Sequence, residues 1–495
     1  MLDRASASQY WPLKQDFPPA TIGLSVTAPS TRREPPPIAL NSDAHAASPP
    51  DAVPLLDLQR QFEQVRAEVL AAVGRVCASQ HYILGPEVEA LEREIAGFCG
   101  VRDAVGCASG TDALWLALVA AGVQPGDHVL TTPFSFFASA SAIARAGARP
   151  LFADIDPRTF NLDVNLAEKV LRSEQNARLR ALLPVHLYGQ CAEMDSFERL
   201  AAEFGIALIE DAAQAIGASW TDRPSTDRHN TDHRSTDRRN KDIRGRDCGH
   251  SRRAGSMGVA AAFSFYPTKN LSAYGEAGMV TTNSPAMAAH MRRLRNHGSP
   301  QRYLHEELGW NSRLDAIQAA ILRVKLKYVD GWNDLRRARA ATYDRLFAEA
   351  GLAETGLAEE AQAKTPAGKP SKAAQQEPGN NQSAINHQKS AIAVSSPIRL
   401  PQSSPQAHHV FHQYVIRAHR RDELRAFLTQ RKIGTEIYYP IPLHLQPCFV
   451  YLGYGEGDFP EAERAAKEVL ALPMFPELSE DEQSWVVQSV ADFYA

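Results

Sequence analysis

Apolar residues recur along this chain in two rhythms that take turns. In "LQRQFEQVRAEVLAAVGRV", Leu58, Phe62, Val65, Val69 and Val73 fall three or four positions apart, which predicts one face of a helix. Short apolar runs follow at "HVLTTPFSF", "ARPLFADID", "LRALLPVHLYG", "GIALIEDAA" and "AAAFSFYP", each of strand length. Helical patterns such as "DALWLALVAAG" separate them. Strand and helix in alternation predict an α/β domain with a mostly parallel sheet. Beyond "AILRVKLKYVD", the segments "HVFHQYVIRA" and "RDELRAFLTQRKI" and a last helix predict a smaller C-terminal α+β domain.

Three segments break this rhythm. Residues 1–52 carry nine prolines and no hydrophobic period, the pattern of a disordered extension. Residues 221–254 open with a pentapeptide repeat, "TDRPS", "TDRHN", "TDHRS", "TDRRN" and the decayed "KDIRG". A repeat so short and polar cannot bury a core, so it reads as a solvated loop inserted into the fold. Its Arg and His content suggests nucleic acid, but the interspersed "TD" pairs dilute the charge. Residues 354–396, including "AKTPAGKPSKAAQQEPGNNQS", form a second low-complexity insert. The expected organisation is a large domain over 53–330 and a small one over 331–495.

Composition narrows the function classes. The chain has 495 residues, 44% hydrophobic and 22% charged, with a net charge of −4. That balance gives no field to attract nucleic acid or an anionic membrane. No apolar run approaches the roughly 20 residues of a membrane span. Cys77, Cys99, Cys107, Cys191, Cys248 and Cys448 form no CxxC pair, which suits reduced thiols rather than a zinc site or a disulfide framework. With no secretory apolar stretch near the start, the cytoplasm is the expected compartment, and no metal is expected.

The chemistry gathers at predicted strand ends, where open sheets of this kind bind ligands. "AVGCASGTDALWLAL" reads as strand, turn and helix, with the helix opening near Gly110 and Thr111 and offering free N–H groups to a phosphate. Asp112 also fits a plain helix start. "ALIEDAAQAIGA" sets Glu210 and Asp211 at a strand end with Gln214 three residues on; a solvated terminus reads the same way. Phe134, Phe136 and Phe137 suit a core, or one of them a plate over a flat ring. "FSFYPTKNLSAYGEAG" places a single lysine, Lys269, between an aromatic run and a glycine-rich turn. A phosphate cradle, an aromatic plate, an acid and a lone amine together match the needs of pyridoxal phosphate (PLP).

"SGTDAL", "TPFSFFASA", "EDAAQAIGA", "FSFYPTKNLSAYGEAGMVTTN", "GWNSRLDAIQAAIL" and "YYPIPLHLQ" resemble, in order, the DegT/DnrJ/EryC1/StrS family of sugar aminotransferases. The resemblance runs from about Val53 to the C-terminus, inserts excluded. It implies the PLP-dependent transferase fold type I, aspartate aminotransferase-like, with a mostly parallel mixed sheet and a small C-terminal domain. It implies that Lys269 holds the cofactor as a Schiff base and shuttles the proton. By the same resemblance Asp211 partners the ring nitrogen, Gln214 neighbours the ring hydroxyl, and Phe136 stacks on the ring. Gly110, Thr111 and Ser264 would contact the phosphate, with Asn311 reaching in from the partner subunit of a homodimer. His186, Tyr439 and His444 would line the substrate side, while His186 also reads as a hydrogen-bonded core histidine.

The implied reaction moves an amino group from glutamate or glutamine to a keto group of a nucleotide-linked sugar, the 3-keto position being suggested by "NSRLD". A sugar dehydratase of the same fold is one alternative, but that branch replaces the lysine with histidine. A PLP-binding regulatory protein is the other. The departure from the family is the insert between Asp211 and Lys269.

Overall fold

The computed structural model describes residues 50–173, 178–222, 250–353 and 396–495. The N-terminal extension up to residue 49, the body of the repeat and nearly all of the 354–396 insert lie outside the described residues. Helix α1, Leu58–Ser79, starts at Asp57, whose carboxylate accepts from the Gln59 and Arg60 amides. Its buried face is Gln61, Val65, Val69, Ala72 and Val76. The predicted stripe is thus rotated: Leu58 is exposed, and Phe62 sits at the edge with its ring 5.9 Å from that of Tyr274. The partner decides the face, because Val65, Val69 and Val76 join Ala316, Ala320, Ile321 and Val324 of helix Ala316–Leu326 in one cluster.

Next come helix α2 (Pro86–Cys99), strand β1 (Asp103–Cys107), helix α3 (Gly110–Ala120), β2 (His128–Thr131), helix α4 (Ala138–Arg145) and β3 (Arg149–Phe152). Strands β4 (Leu179–Leu182), β5 (Ala207–Asp211), β6 (Ser219–Thr221), β7 (Ser251–Arg253), β8 (Ala260–Ser264) and β9 (Gly278–Thr282) follow, interleaved with further helices. Seven of them form one sheet in the order β1-β9-β8-β5-β4-β2-β3. All neighbours from β8 to β3 are parallel, while β9 runs antiparallel to both β8 and β1.

Successive residues of the central strands enter opposite cores. Leu130, Leu182, Leu208 and Ala261 lie in one cluster; Val129, Ala181, Ile209 and Ala262 lie in the other. Both faces of the sheet are covered, so these strands read as continuous apolar runs rather than as alternation. Their carboxyl ends share one edge.

The C-terminal part adds β10 (Ile398–Arg399), β11 (Ala407–His408), β12 (Tyr414–Ala418) and β13 (Val469–Leu472). Strands β10, β12 and β13 make an antiparallel sheet, packed with helices Arg421–Gln430 and Glu480–Tyr494. Val53 belongs to this C-terminal core and bridges to Ile433. Strands β6 and β7 pair antiparallel with Thr221 opposite Ser251, and β11 completes their small sheet. Residues 251–254, expected inside the first insert, therefore belong to the fold, and Ala254 is fully buried. Among the described residues no helix is long and apolar enough to cross a membrane, and no group of side chains could hold a metal ion.

Candidate active site

Four strand ends build the site. Strand β1 leads to Ser109, which caps α3 by accepting from the Asp112 amide. Gly110 and Thr111 therefore form the first turn of α3, with its free amides and positive dipole end. A methyl group on Gly110 would lie 2.5 Å from the Cβ of Ser264, the last residue of β8. One on Gly278, at the start of β9, would lie 2.2 Å from the Ser109 carbonyl. Glycine at both positions lets α3 meet the sheet edge closely, which brings Gly110, Thr111 and Ser264 together as a cradle.

Asp211 ends β5 and is buried. Its Oδ2 accepts from Ser139 Oγ at 2.7 Å, and its Oδ1 from the Ala213 amide at 3.2 Å. Burial pushes its pKa up; the Ser139 hydrogen bond, and then the Lys269 charge, pull it back. Among the described residues no cation forms an ion pair with it. A carboxylate so placed is short of a positive partner.

Lys269 follows the end of β8 in a turn closed by its own amide to the Tyr266 carbonyl at 2.9 Å. Burial lowers its pKa to about 8, with Asp211 acting in the opposite sense. An amine with that proton affinity exchanges protons near neutrality. Phe136 lies beyond β2, more than half exposed, with its ring centroid 6.2 Å from that of Tyr439. Gln214 is buried between two partners: its Oε1 accepts from the Tyr188 amide at 2.6 Å, and its Nε2 donates to the Tyr439 hydroxyl at 3.0 Å. Tyr439, whose pKa burial raises, thus stands between Gln214 and Phe136.

Two of the expected substrate-side residues pair with buried acids. His186 is fully buried, its Nε2–H donating to Glu210 Oε2 at 3.0 Å and its Nδ1 accepting from the Ala192 amide at 3.2 Å. The same carboxylate accepts from the Gly255, Met257 and Gly258 amides. His186 therefore satisfies a buried acid and presents no nitrogen to a substrate. His444 is also buried, its Nε2 3.1 Å from Glu463 and its ring edge-on to Phe459, with Nδ1 left without a hydrogen-bond partner among the described residues. Asn311 is exposed on the segment beyond helix Pro285–Leu294, bridged to Asn296, and touches none of the groups above.

Other residues at this edge have weaker signals in the sequence. Ser139 stands one helical turn from Ser135, its partner at 2.9 Å, in a run that reads simply as small residues. Asn270, next to the lysine, is almost fully buried. That neighbourhood is its only cue.

The comparisons with known proteins decide the family. Residues 63–395 and 380–491 match the DegT/DnrJ/EryC1/StrS aminotransferase family. The chain belongs to that family. It is 43% identical over 442 residues to a pleiotropic regulatory protein of Geobacillus stearothermophilus, covering 89% of this chain and 98% of that one. It is 38% identical over 441 residues to the dTDP-3-amino-3,4,6-trideoxy-alpha-D-glucose transaminase of Streptomyces venezuelae, covering 89% and 96%. The fold matches the crystal structure of S. venezuelae DesV in complex with a ketimine intermediate, with a TM-score of 0.71 and 38% identity over 90% of this chain and 99% of that one. The architecture is fold type I, and the protein is an enzyme of the aminotransferase class.

Proposed function

We propose that this enzyme transfers an amino group from glutamate or glutamine to the 3-keto carbon of a nucleotide-linked sugar, using PLP. The observation that carries this reading is Lys269: one amine, lowered to a pKa of about 8, on the same sheet edge as a buried acid and a helix N-terminus. The residues suit the cofactor. Asp211 is a buried carboxylate with no ion pair among the described residues, and a protonated ring nitrogen would supply one. The Gly110–Ser264 approach forms a cradle that a side chain would fill, as a phosphate site at a helix N-terminus requires.

Bound PLP supplies an electron sink at the carbon that loses its proton. The protein supplies the rest. Thr111, Ser264 and the first amides of α3 hold the phosphate. Asp211, fixed by Ser139, would keep the ring nitrogen protonated, Gln214, bonded to Tyr439, would neighbour the ring hydroxyl, and Phe136 would stack on the ring. The Lys269 amine takes the proton from the donor carbon and later returns it on the sugar side.

We further propose a homodimer in which Asn311 serves the partner's site. Tyr303, Leu308 and Trp310, beside Asn311, are 83%, 96% and 53% exposed, a run of large apolar surface that a second copy would cover. The name of the Geobacillus relative favours a second reading, a regulatory protein that binds the cofactor without turning over. The lysine at position 269 argues against the dehydratase alternative.

The test uses purified protein loaded with PLP. Glutamate or glutamine should bleach its visible absorbance, and one member of a panel of ketosugar nucleotides should restore it, with the aminated sugar found by mass spectrometry. Bleaching and restoration should both vanish in Lys269→Ala. A wild-type spectrum that no amino donor alters would support the regulatory reading.

A further inference from the structure

Asn270, the residue after Lys269, is bonded on every side. Its Nδ2 donates to Asn333 Oδ1 at 2.8 Å and to the Val410 carbonyl at 3.3 Å. The Val410 carbonyl can only accept, which fixes the orientation of the amide. Asn270 Oδ1 therefore faces His412 Nδ1 at 3.0 Å, and the imidazole must carry its proton on Nδ1 to donate.

His412 is itself held from several elements. Arg336, buried in helix Val329–Glu349, donates to the Phe411 and His412 carbonyls at 3.3 Å and to the Met474 carbonyl at 2.9 Å. A methyl group on Gly189 would lie 2.9 Å from the His412 amide, so the turn after β4 presses on it as well. On the far side, Asn333 Nδ2 donates to the Ile216 carbonyl at 2.9 Å, just beyond the strand that ends in Asp211. The chain Ile216–Asn333–Asn270–His412 thus joins the acid's strand, the lysine's turn and the C-terminal segment.

We propose that His412 is a positioning residue of the active site, which fixes the turn carrying Lys269 by donating from Nδ1 to Asn270. This rests on the reading of Lys269 as the catalytic amine. The imidazole is buried and stays neutral, because burial, the Lys269 ammonium and the Arg336 guanidinium all oppose a second proton. A neutral donor beside a titrating lysine holds the turn in the same geometry whether or not the amine is charged. Losing the donor would free the turn and let the amine reach water, so its proton affinity would rise towards that of an ordinary lysine.

The test labels Lys269 in the cofactor-stripped full chain with an amine-reactive reagent across pH, for the wild type, His412→Leu and His412→Asn. The asparagine amide can donate from nearly the place of Nδ1. His412→Leu should raise the labelling midpoint by about half a pH unit or more. In the loaded enzyme it should lower kcat roughly tenfold with little change in the KM of the amino donor. His412→Asn should restore both.

A lowered melting temperature in His412→Leu with an unshifted midpoint and near-normal kcat would overturn the proposal, since packing alone predicts that result. Nitrogen NMR of histidine-labelled wild-type protein gives a check that needs no folded leucine variant. The His412 signal, assigned by its loss in His412→Asn, should show a neutral Nδ1–H ring at pH 6; an Nε2–H or doubly protonated ring would refute it. Should Lys269→Ala keep full turnover, the catalytic reading fails, yet the labelling shift in His412→Leu would still report the positioning contact.

Discussion

Lys269 and Asp211 act on each other's protons, and the direction can be worked out. Burial drives the Lys269 amine towards neutrality, while the Asp211 carboxylate favours its ammonium. Labelling of the cofactor-stripped protein should therefore have a midpoint near pH 8, against about 10.4 for an unperturbed lysine. Asp211→Asn removes the opposing charge and leaves burial alone, so the midpoint should fall further. In the loaded enzyme the same change should slow turnover roughly a hundredfold, because the ring nitrogen loses the charge that keeps it protonated. A midpoint that stays put or rises would show that the two groups do not meet electrostatically. Both residues stood out in the sequence, Asp211 as a carboxylate ending an apolar run and Lys269 as a single lysine between an aromatic run and a glycine-rich turn. His186 read as either a substrate neighbour or a core histidine, and its bonds to Glu210 and the Ala192 amide favour the core. His412 was not legible, because its meaning comes from Asn270, 142 positions away.

At the scale of elements, the strand ends were the easiest feature to anticipate. A strand buried on both faces is a short block of apolar residues, so its end is marked wherever the block stops. The face of α1 was anticipated only in part: Val65 and Val69 lie at its centre and Phe62 and Val73 pack at its edge, while Leu58 is exposed. Strand β7 was missed because "SRR" looks like the repeat before it. Its order comes from pairing with β6 and from the ion pair of Arg252 with Asp222 at 2.6 Å. The join of α3 to the sheet carries its own test. Gly110→Ala puts a methyl 2.5 Å from Ser264 Cβ, and the two elements must separate. PLP affinity, measured by equilibrium dialysis, should weaken at least about tenfold, with helix content by circular dichroism unchanged, since alanine suits a helix better than glycine. Undiminished PLP affinity would place the phosphate elsewhere.

At the scale of the whole molecule, Asn311 is exposed on a segment that is fastened to its own subunit. Arg145 lies between Trp115 of α3 and Trp310, 4.7 and 5.3 Å from the two ring centroids, and pairs with Asp112. Trp310 is thereby anchored to the helix whose N-terminus forms the cradle, while its neighbour Asn311 faces outward. In the proposed two-fold dimer such an exposed residue would serve the other subunit. Subunit mixing tests this. Lys269→Ala lacks the amine; Asn311→Asp keeps the shape but sets a negative charge against the phosphate, so each homodimer should be nearly inactive. In a heterodimer, the intact Lys269 of one chain meets the intact Asn311 of the other at one of the two sites. After unfolding and refolding in equal amounts, half the dimers should be mixed, restoring about a quarter of wild-type activity. If Asn311 serves its own subunit, every Lys269 remaining in the mixture sits beside a defective partner, and no activity returns.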